Sequence, residues 1–227
     1  MQRFLDFEVI NFYYIYMSYE FNHTFMFVDK DFPEESLFRD SDLICTMERE
    51  HLGQGTSAKF IMFPDNYLEF IWMSNKDDAK KNLIPIQEKA NWKTSGWNPF
   101  GIAFSGHVPE NEKKYFEEYS PDYNRGKSIW IDKRSIENKE WPLLFFMEPA
   151  KDLGPKSYRP SVMLKDRPEA AISKNCIKQL TYHGPKFEVP SYAKSSLISF
   201  VDSNSYLMEI ILKSSVDVIS SELFKIS

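Results

Sequence analysis

Three short runs hold the side chains of this 227-residue chain that are best placed for chemistry. His23 lies in FNHTFMFV (21–28), His51 leads HLGQGTSAKF (51–60), and Glu69 lies in NYLEFIWM (66–73). Each has a functional and a structural reading. His23 sits in an alternating strand-like run, where it either serves a site or ties up a buried polar contact. His51 precedes a two-glycine turn whose glycines supply positive-φ geometry. It either packs at a strand end or, with Gln54 and Thr56, offers hydrogen bonds to a ligand, or acts as an acid or base. Glu69 is flanked by Phe70, Ile71, Trp72 and Met73. Such a carboxylate either points to water or is held inside with a raised pKa, as a ligand or a base. Trp72, Trp92, Trp97, Phe100 and Phe104 suit a core, and one or two of them, with Trp72 and Phe104 foremost, suit the wall of a pocket for flat or apolar ligands. His107 and His183 each neighbour a glycine and read as loop residues. No GxSxG, P-loop or GxGxxG pattern occurs, which argues against hydrolases of that fold, nucleoside triphosphatases and Rossmann enzymes.

The elements that must position these groups can be read from periodicity and turn residues. Phe21–Val28 reads as a strand and Pro33–Asp40 as a short helix. Ile44–Glu48, Ala58–Phe63 and Asn66–Met73 read as three further strands, the last two joined at Pro64-Asp65-Asn66. Asp77–Asn82 and Ile84–Ala90 read as short helices, Pro99–Gly106 as a strand and the charged Glu110–Tyr119 as a helix. Lys127–Asp132 and Pro142–Glu148 follow as strands. The second group is thus a near-copy of the first with one strand fewer. Strands are expected at Cys176–Tyr182, Ser196–Val201, Tyr206–Lys213 and near Leu223. FPDNYLEFIWM (63–73) and FVDSNSYLMEIIL (200–212) echo one another, which supports an internal repeat. The expected organisation is an N-terminal appendage over 1–20, a first unit over 21–98, a second, incomplete unit over 99–150, a Pro-rich linker loop over 151–171, and C-terminal strands over 172–227 completing the sheet.

Composition bounds the rest. With 19 Phe, 12 Tyr and 5 Trp against 8 Gly and 2 Cys, the chain is neither low-complexity nor a disulfide scaffold. A net charge of −5 gives no attraction for nucleic acid or anionic lipid, and the basic pairs Lys80-Lys81 and Lys113-Lys114 are interleaved with acids. The apolar run Val9–Met17 is far shorter than a membrane span and follows acidic residues, unlike a secretory leader. Cys45 and Cys176 fit no metal or redox spacing, so reduced, buried thiols in a cytoplasmic protein are expected.

The order of Asn22-His23, the H-x-G-x-G-T turn at 51–56 and Tyr67-Leu68-Glu69 resembles the glyoxalase-like domain of the vicinal oxygen chelate superfamily. Pro99–Ala103 and Trp141–Phe145 look like its second half. The resemblance implies an α+β fold of paired βαβββ units, curled into a sheet around a cup-shaped pocket. It also implies a divalent metal (Fe, Mn or Zn) held by His and Glu, with His23 and Glu69 as ligands and a further carboxylate from Glu148 or, alternatively, Glu209. Gly101 falls where the second unit would supply its histidine. The implied chemistry is metal-assisted isomerase, lyase or dioxygenase action on a small molecule with adjacent oxygens. Glu69 and His51 would be catalytic, and His51, Gln54, Thr56, Trp72 and Phe104 would contact the ligand. The alternative on the same scaffold is a metal-free module that binds or sequesters a small molecule. Because the superfamily pairs units between chains, a homodimer is a further expectation.

Overall fold

A computed structural model of the chain describes residues 19–30, 32, 43–124, 128–149, 154–165, 172–214 and 223–226. It is a mixed α+β protein dominated by a large curled sheet with a few short helices. The strands of that sheet are β1 (Tyr19–Phe27), β2 (Met47–His51), β3 (Thr56–Met62), β4 (Tyr67–Met73), β5 (Phe100–Gly106), β6 (Phe116–Tyr119), β7 (Ile129–Asp132) and β8 (Leu143–Met147). Their spatial order is β2-β3-β4-β1-β5-β8-β7-β6. β1 lies parallel to β4, and β5 parallel to β8, while β1 and β5 meet antiparallel at the centre. Each half is therefore four strands wide.

Side-chain alternation sorts the two faces of this sheet. His23, Phe25 and Phe27 of β1 share one face with Phe60, Met62, Tyr67, Ile71, Leu143 and Phe145, which encloses a cavity. Met26, Leu68, Phe70, Trp72, Ile102, Phe104 and Phe146 pack on the other face. That second face is covered by a separate four-stranded sheet, of order β10-β9-β11-β12. Its strands are β9 (Asn175–Gly184), β10 (Ile198–Asp202), β11 (Leu207–Ser214) and β12 (Leu223–Ile226). Ile177, Leu180, Met208, Ile210 and Leu212 from it join the same core. Fully burying side chains of this size contributes about 1.5–3 kcal/mol each, which explains the chain's aromatic bulk. Two tyrosines bolt the layers together: Tyr182 donates to Thr24 Oγ1 at 2.6 Å and Tyr192 to Asp132 Oδ2 at 2.7 Å.

Several expectations need correction. The C-terminal strands do not complete the large sheet; they form the second one, because their apolar face seals its outer side. Glu110–Tyr119 is not a helix but a 3-10 turn (Lys113–Tyr115) leading into edge strand β6. Glu117 and Glu118 are both exposed there, so charges on both faces of a sheet edge hid the strand period. The second half consequently holds four strands, not three. β2 lies three residues later than expected, which leaves Ile44 exposed and puts His51 at the strand's last position. Within the expected linker loop, Pro155–Tyr158 and Pro160–Met163 form short helical turns. Arg159 anchors them through Glu20 (2.7 Å) and Asp65 (2.8 Å). His183 lies on β9, not in a loop. Cys45 and Cys176 form no disulfide and are only partly buried. The expected helix at 33–40, and the expected appendage up to residue 18, lie outside the described residues. Among the described residues no helix is long and apolar enough to cross a membrane.

Candidate active site

The cavity enclosed by the large sheet has a volume of about 670 Å³, ample for a small organic molecule. Neighbouring strands set side chains into rows across it. Met47, Phe60, Glu69, Phe25, Gly101 and Leu143 form one row, and Met62, Tyr67, His23, Ala103, Phe145 and Ile131 the next. All polar members of the two rows come from the first half. Tyr158, Met163 and Leu164, from the segment anchored by Arg159, close a further side.

His23, His51 and Glu69 converge in the wall, each less than a tenth exposed. Glu69 sits between the imidazoles: His23 Nε2 is 3.4 Å from Oε2, and His51 Nε2 is 3.4 Å from Oε1. The His23 ring is fixed by stacking on Tyr67 at 4.2 Å and by the edge of Phe145. The His51 ring lies against Tyr123 at 4.7 Å. The turn carrying His51 is held by Gly55, whose φ is +83°. A Cβ there would lie 2.4 Å from the Asn75 carbonyl oxygen and 2.5 Å from the Ala79 nitrogen, so the helix Lys76–Lys80 can approach only a glycine.

The polarity of the surrounding hydrogen bonds is set by backbone groups at both ends. At one end the Ile84 N–H donates to Asn82 Oδ1, so the Asn82 amide donates to the Tyr119 hydroxyl (2.8 Å). Tyr119 then donates to Gln54 Oε1, and Gln54 Nε2 donates to Thr56 Oγ1. Thr56 Oγ1 meets His51 Nδ1 at 2.9 Å, and a hydroxyl proton donated there places the His51 proton on Nε2, toward Glu69. At the other end Asn22 Nδ2 donates to the Tyr158 carbonyl, so Asn22 Oδ1 accepts from His23 Nδ1 at 2.7 Å. His23 therefore turns a bare Nε2 toward Glu69 Oε2. Only a proton on that oxygen satisfies the contact when both rings are neutral.

The electrostatics agree. Burial pushes the Glu69 carboxyl up to about 8, with the Arg49 charge pulling the other way. Burial, reinforced by His51, lowers His23 to about 3, and burial, reinforced by Arg49, lowers His51 to about 3. At neutral pH the resting cluster is a protonated carboxyl between two neutral imidazoles of opposite tautomer. Such a group can give a proton on one side and take one back through the other.

The sequence-expected residues divide accordingly. His23, His51, Glu69 and Gln54 line the cavity. Thr56 is fully buried behind His51 and positions it without reaching the cavity. Trp72 and Phe104 are on the opposite face, in the core between the sheets, because their strand positions have the other parity. Phe25, Phe27, Phe60 and Phe145 line the cavity in place of Trp72 and Phe104. Glu148 points away and bonds His107 and Trp130 Nε1. Glu209 pairs with His183 at 3.0 Å in the second sheet. The Phe25 ring fills the place over Gly101, and the second half turns Ala103, Leu143 and Phe145 toward the cavity. The donor set for the implied metal is therefore not assembled: Glu148 and Glu209 lie elsewhere, and among the described residues no three His, Cys, Asp or Glu side chains are arranged to hold an ion. Sequence reasoning missed Arg49, Tyr67, Tyr119, Tyr123 and Tyr158. Arg49 was detectable, since it stands two residues before His51 and so shares its strand face.

No protein-family model matches the chain, and no curated protein does. One similar solved structure is described as "Crystal Structure of a hypothetical protein from Staphylococcus aureus". The similarity covers 92% of this chain and 99% of that one, at 13% identity and a TM-score of 0.53. At that identity the likeness concerns the fold alone.

Proposed function

We propose that this chain is a glyoxalase-like protein that carries out metal-independent acid–base chemistry, of isomerase or lyase type, on a small carbonyl compound with adjacent oxygens. The observation that carries the reading is the protonated Glu69 held between His23 and His51 in the wall of the cavity. Two further features support it. Two four-stranded halves, with parallel β1–β4 and β5–β8 pairs flanking an antiparallel seam, lend support to the paired units that the resemblance implies. The opposite tautomers of the two histidines provide a donor and an acceptor on either side of one carboxyl. In this reading Glu69 passes its proton to the bare His23 Nε2 and, as a carboxylate steadied by His51 Nε2–H, removes the proton from the carbon next to the carbonyl; the same groups then return a proton to the substrate.

The test is deuterium incorporation next to the carbonyl of 4-phenyl-2-oxobutanoate and 1-phenyl-1,2-propanedione in D₂O, followed by NMR. Acceleration over buffer that falls about 100-fold or more in Glu69→Gln is expected. No acceleration with either compound overturns the catalytic reading. A second reading, a binding module, is favoured by the second half, whose β7 and β8 give the cavity only Ile129, Ile131, Leu143, Phe145 and Met147. Saturable binding of these compounds without exchange is its signature.

A further inference from the structure

We propose that the molecule taken by this cavity has an apolar body and one carboxylate, and that Arg49 holds that carboxylate at the cavity's edge. The inference deepens the reading above and rests on its cavity, not on its proton transfer. By register Arg49 lies in a third row across the sheet with Ala58, Ile71 and Phe27, one step from the row that carries Glu69. It borders the cavity, and among the described residues no other Lys or Arg does. It is exposed, yet its plane is fixed: Nη2 donates to the Tyr123 carbonyl at 2.8 Å, and Cζ stands 5.4 Å over the Tyr123 ring. Among the described residues no carboxylate pairs with it, although Glu48 and Glu50 flank it in sequence. By alternation both start from the opposite face of β2, where they oppose Lys59 and Ser57, and only Glu48 also reaches the cavity edge.

Among the described residues the site thus has one cation, oriented by a neighbour that neutralises none of its charge, with a fork of N–H groups suited to a planar carboxylate. Below it the walls are Phe25, Phe27, Phe60, Ile71 and Met62. The one buried carboxyl nearby, Glu69, carries no charge at neutral pH and so does not repel an anion. The chemistry matches an aryl- or alkyl-carboxylate whose body fills the apolar space and whose reacting carbons reach Glu69.

Two matched pairs of probes read this out by calorimetric titration: 4-phenylbutanoate against 4-phenylbutan-1-ol, and decanoate against decan-1-ol. In the unaltered protein at least one acid is expected to bind about tenfold more tightly than its alcohol. Arg49→Leu and Arg49→Gln should remove that preference while leaving alcohol binding unchanged, which also checks that the variants are folded. Arg49→Lys should keep part of it. Equal binding of acid and alcohol, a preference that survives Arg49→Leu, or no binding by any of the four overturns the proposal. Which pair responds tells an aromatic body from an alkyl one. The same titrations on Glu69→Gln should keep the acid preference, so loss of exchange chemistry there bears only on the catalytic reading.

Discussion

The Phe25 ring occupies the space that a side chain at position 101 would need: a Cβ on Gly101 would lie 2.1 Å from Phe25 Cζ. The two residues are direct partners across the β1–β5 seam, at the centre of the large sheet. One half of the molecule thus fills the place where the resemblance puts a metal-ligating histidine in the other.

Gly101→Ala should therefore destabilise the fold by about 1–3 kcal/mol through overpacking. Phe25→Leu, which shortens the opposing side chain, should recover part of the loss when combined with it. Urea unfolding of the two single variants and the double variant measures the coupling. Additive effects would show that the ring moves aside without cost.

Glu69 should make stability fall as pH rises. Its carboxyl titrates near 8 in the folded chain and near the ordinary 4.5 when unfolded, so the folded state holds a proton the unfolded state has lost. That contribution is complete below about pH 4.5 and lost as pH climbs through 8. His23 and His51 work the other way at lower pH: their folded values near 3 make stability rise as pH climbs from about 3 to 6.5. Glu69→Gln should leave the histidine limb intact and remove the decline between pH 6.5 and 8, an effect on the order of a few kcal/mol. Denaturant unfolding across pH 4–9 checks it, and parallel curves for the two proteins would contradict it.

Lys89 offers an independent titration. It is fully buried, and its ammonium meets the Asn98 carbonyl at 3.0 Å and the Trp97 ring at 5.5 Å. Burial lowers it to about 7. The unfolded chain keeps that proton up to about 10.5, so the cost of burying the charge is complete below pH 7 and fades toward pH 10.5. Lys89→Met should raise stability at pH 7 by about 1–3 kcal/mol and flatten the profile above it. Thermal melts at pH 6.5, 8 and 9.5 suffice, and a variant less stable at every pH would refute the argument.

The opposite tautomers of the two histidines are directly observable. In ¹⁵N–¹H NMR at pH 7, His51 should show the proton on Nε2 and His23 on Nδ1. Thr56→Val removes the hydroxyl that donates to His51 Nδ1, so the His51 signal should change while His23 keeps its tautomer. The same tautomer on both rings would break the hydrogen-bond polarity on which the site's proton arrangement rests.

Much of the framework was legible in the sequence because it depends on local pattern. Period-2 apolar runs located β1, β3, β4, β5 and β8 within a few residues, and the two glycines at 53 and 55 marked the turn that presents His51. The pairing of His23 with Glu69 was implied by the resemblance. Other features depend on what faces what. Phe104 and Phe145 are alike as sequence, but sheet partners put one in the core and the other in the cavity wall. Glu148 ends a strand just as a ligand would, yet its parity turns it to His107 and Trp130. Edge strand β6 was masked by charges that only an open sheet edge tolerates. Residue types and spacing determined that the chain can build apolar strands and offer a histidine–carboxylate pair. The tertiary structure alone decided that His51 joins that pair, that Phe25 fills the space over Gly101, and that Arg49 stands beside Tyr123 at the cavity's edge. Those outcomes rest on contacts between strands far apart in sequence, whose register and facing no local pattern encodes.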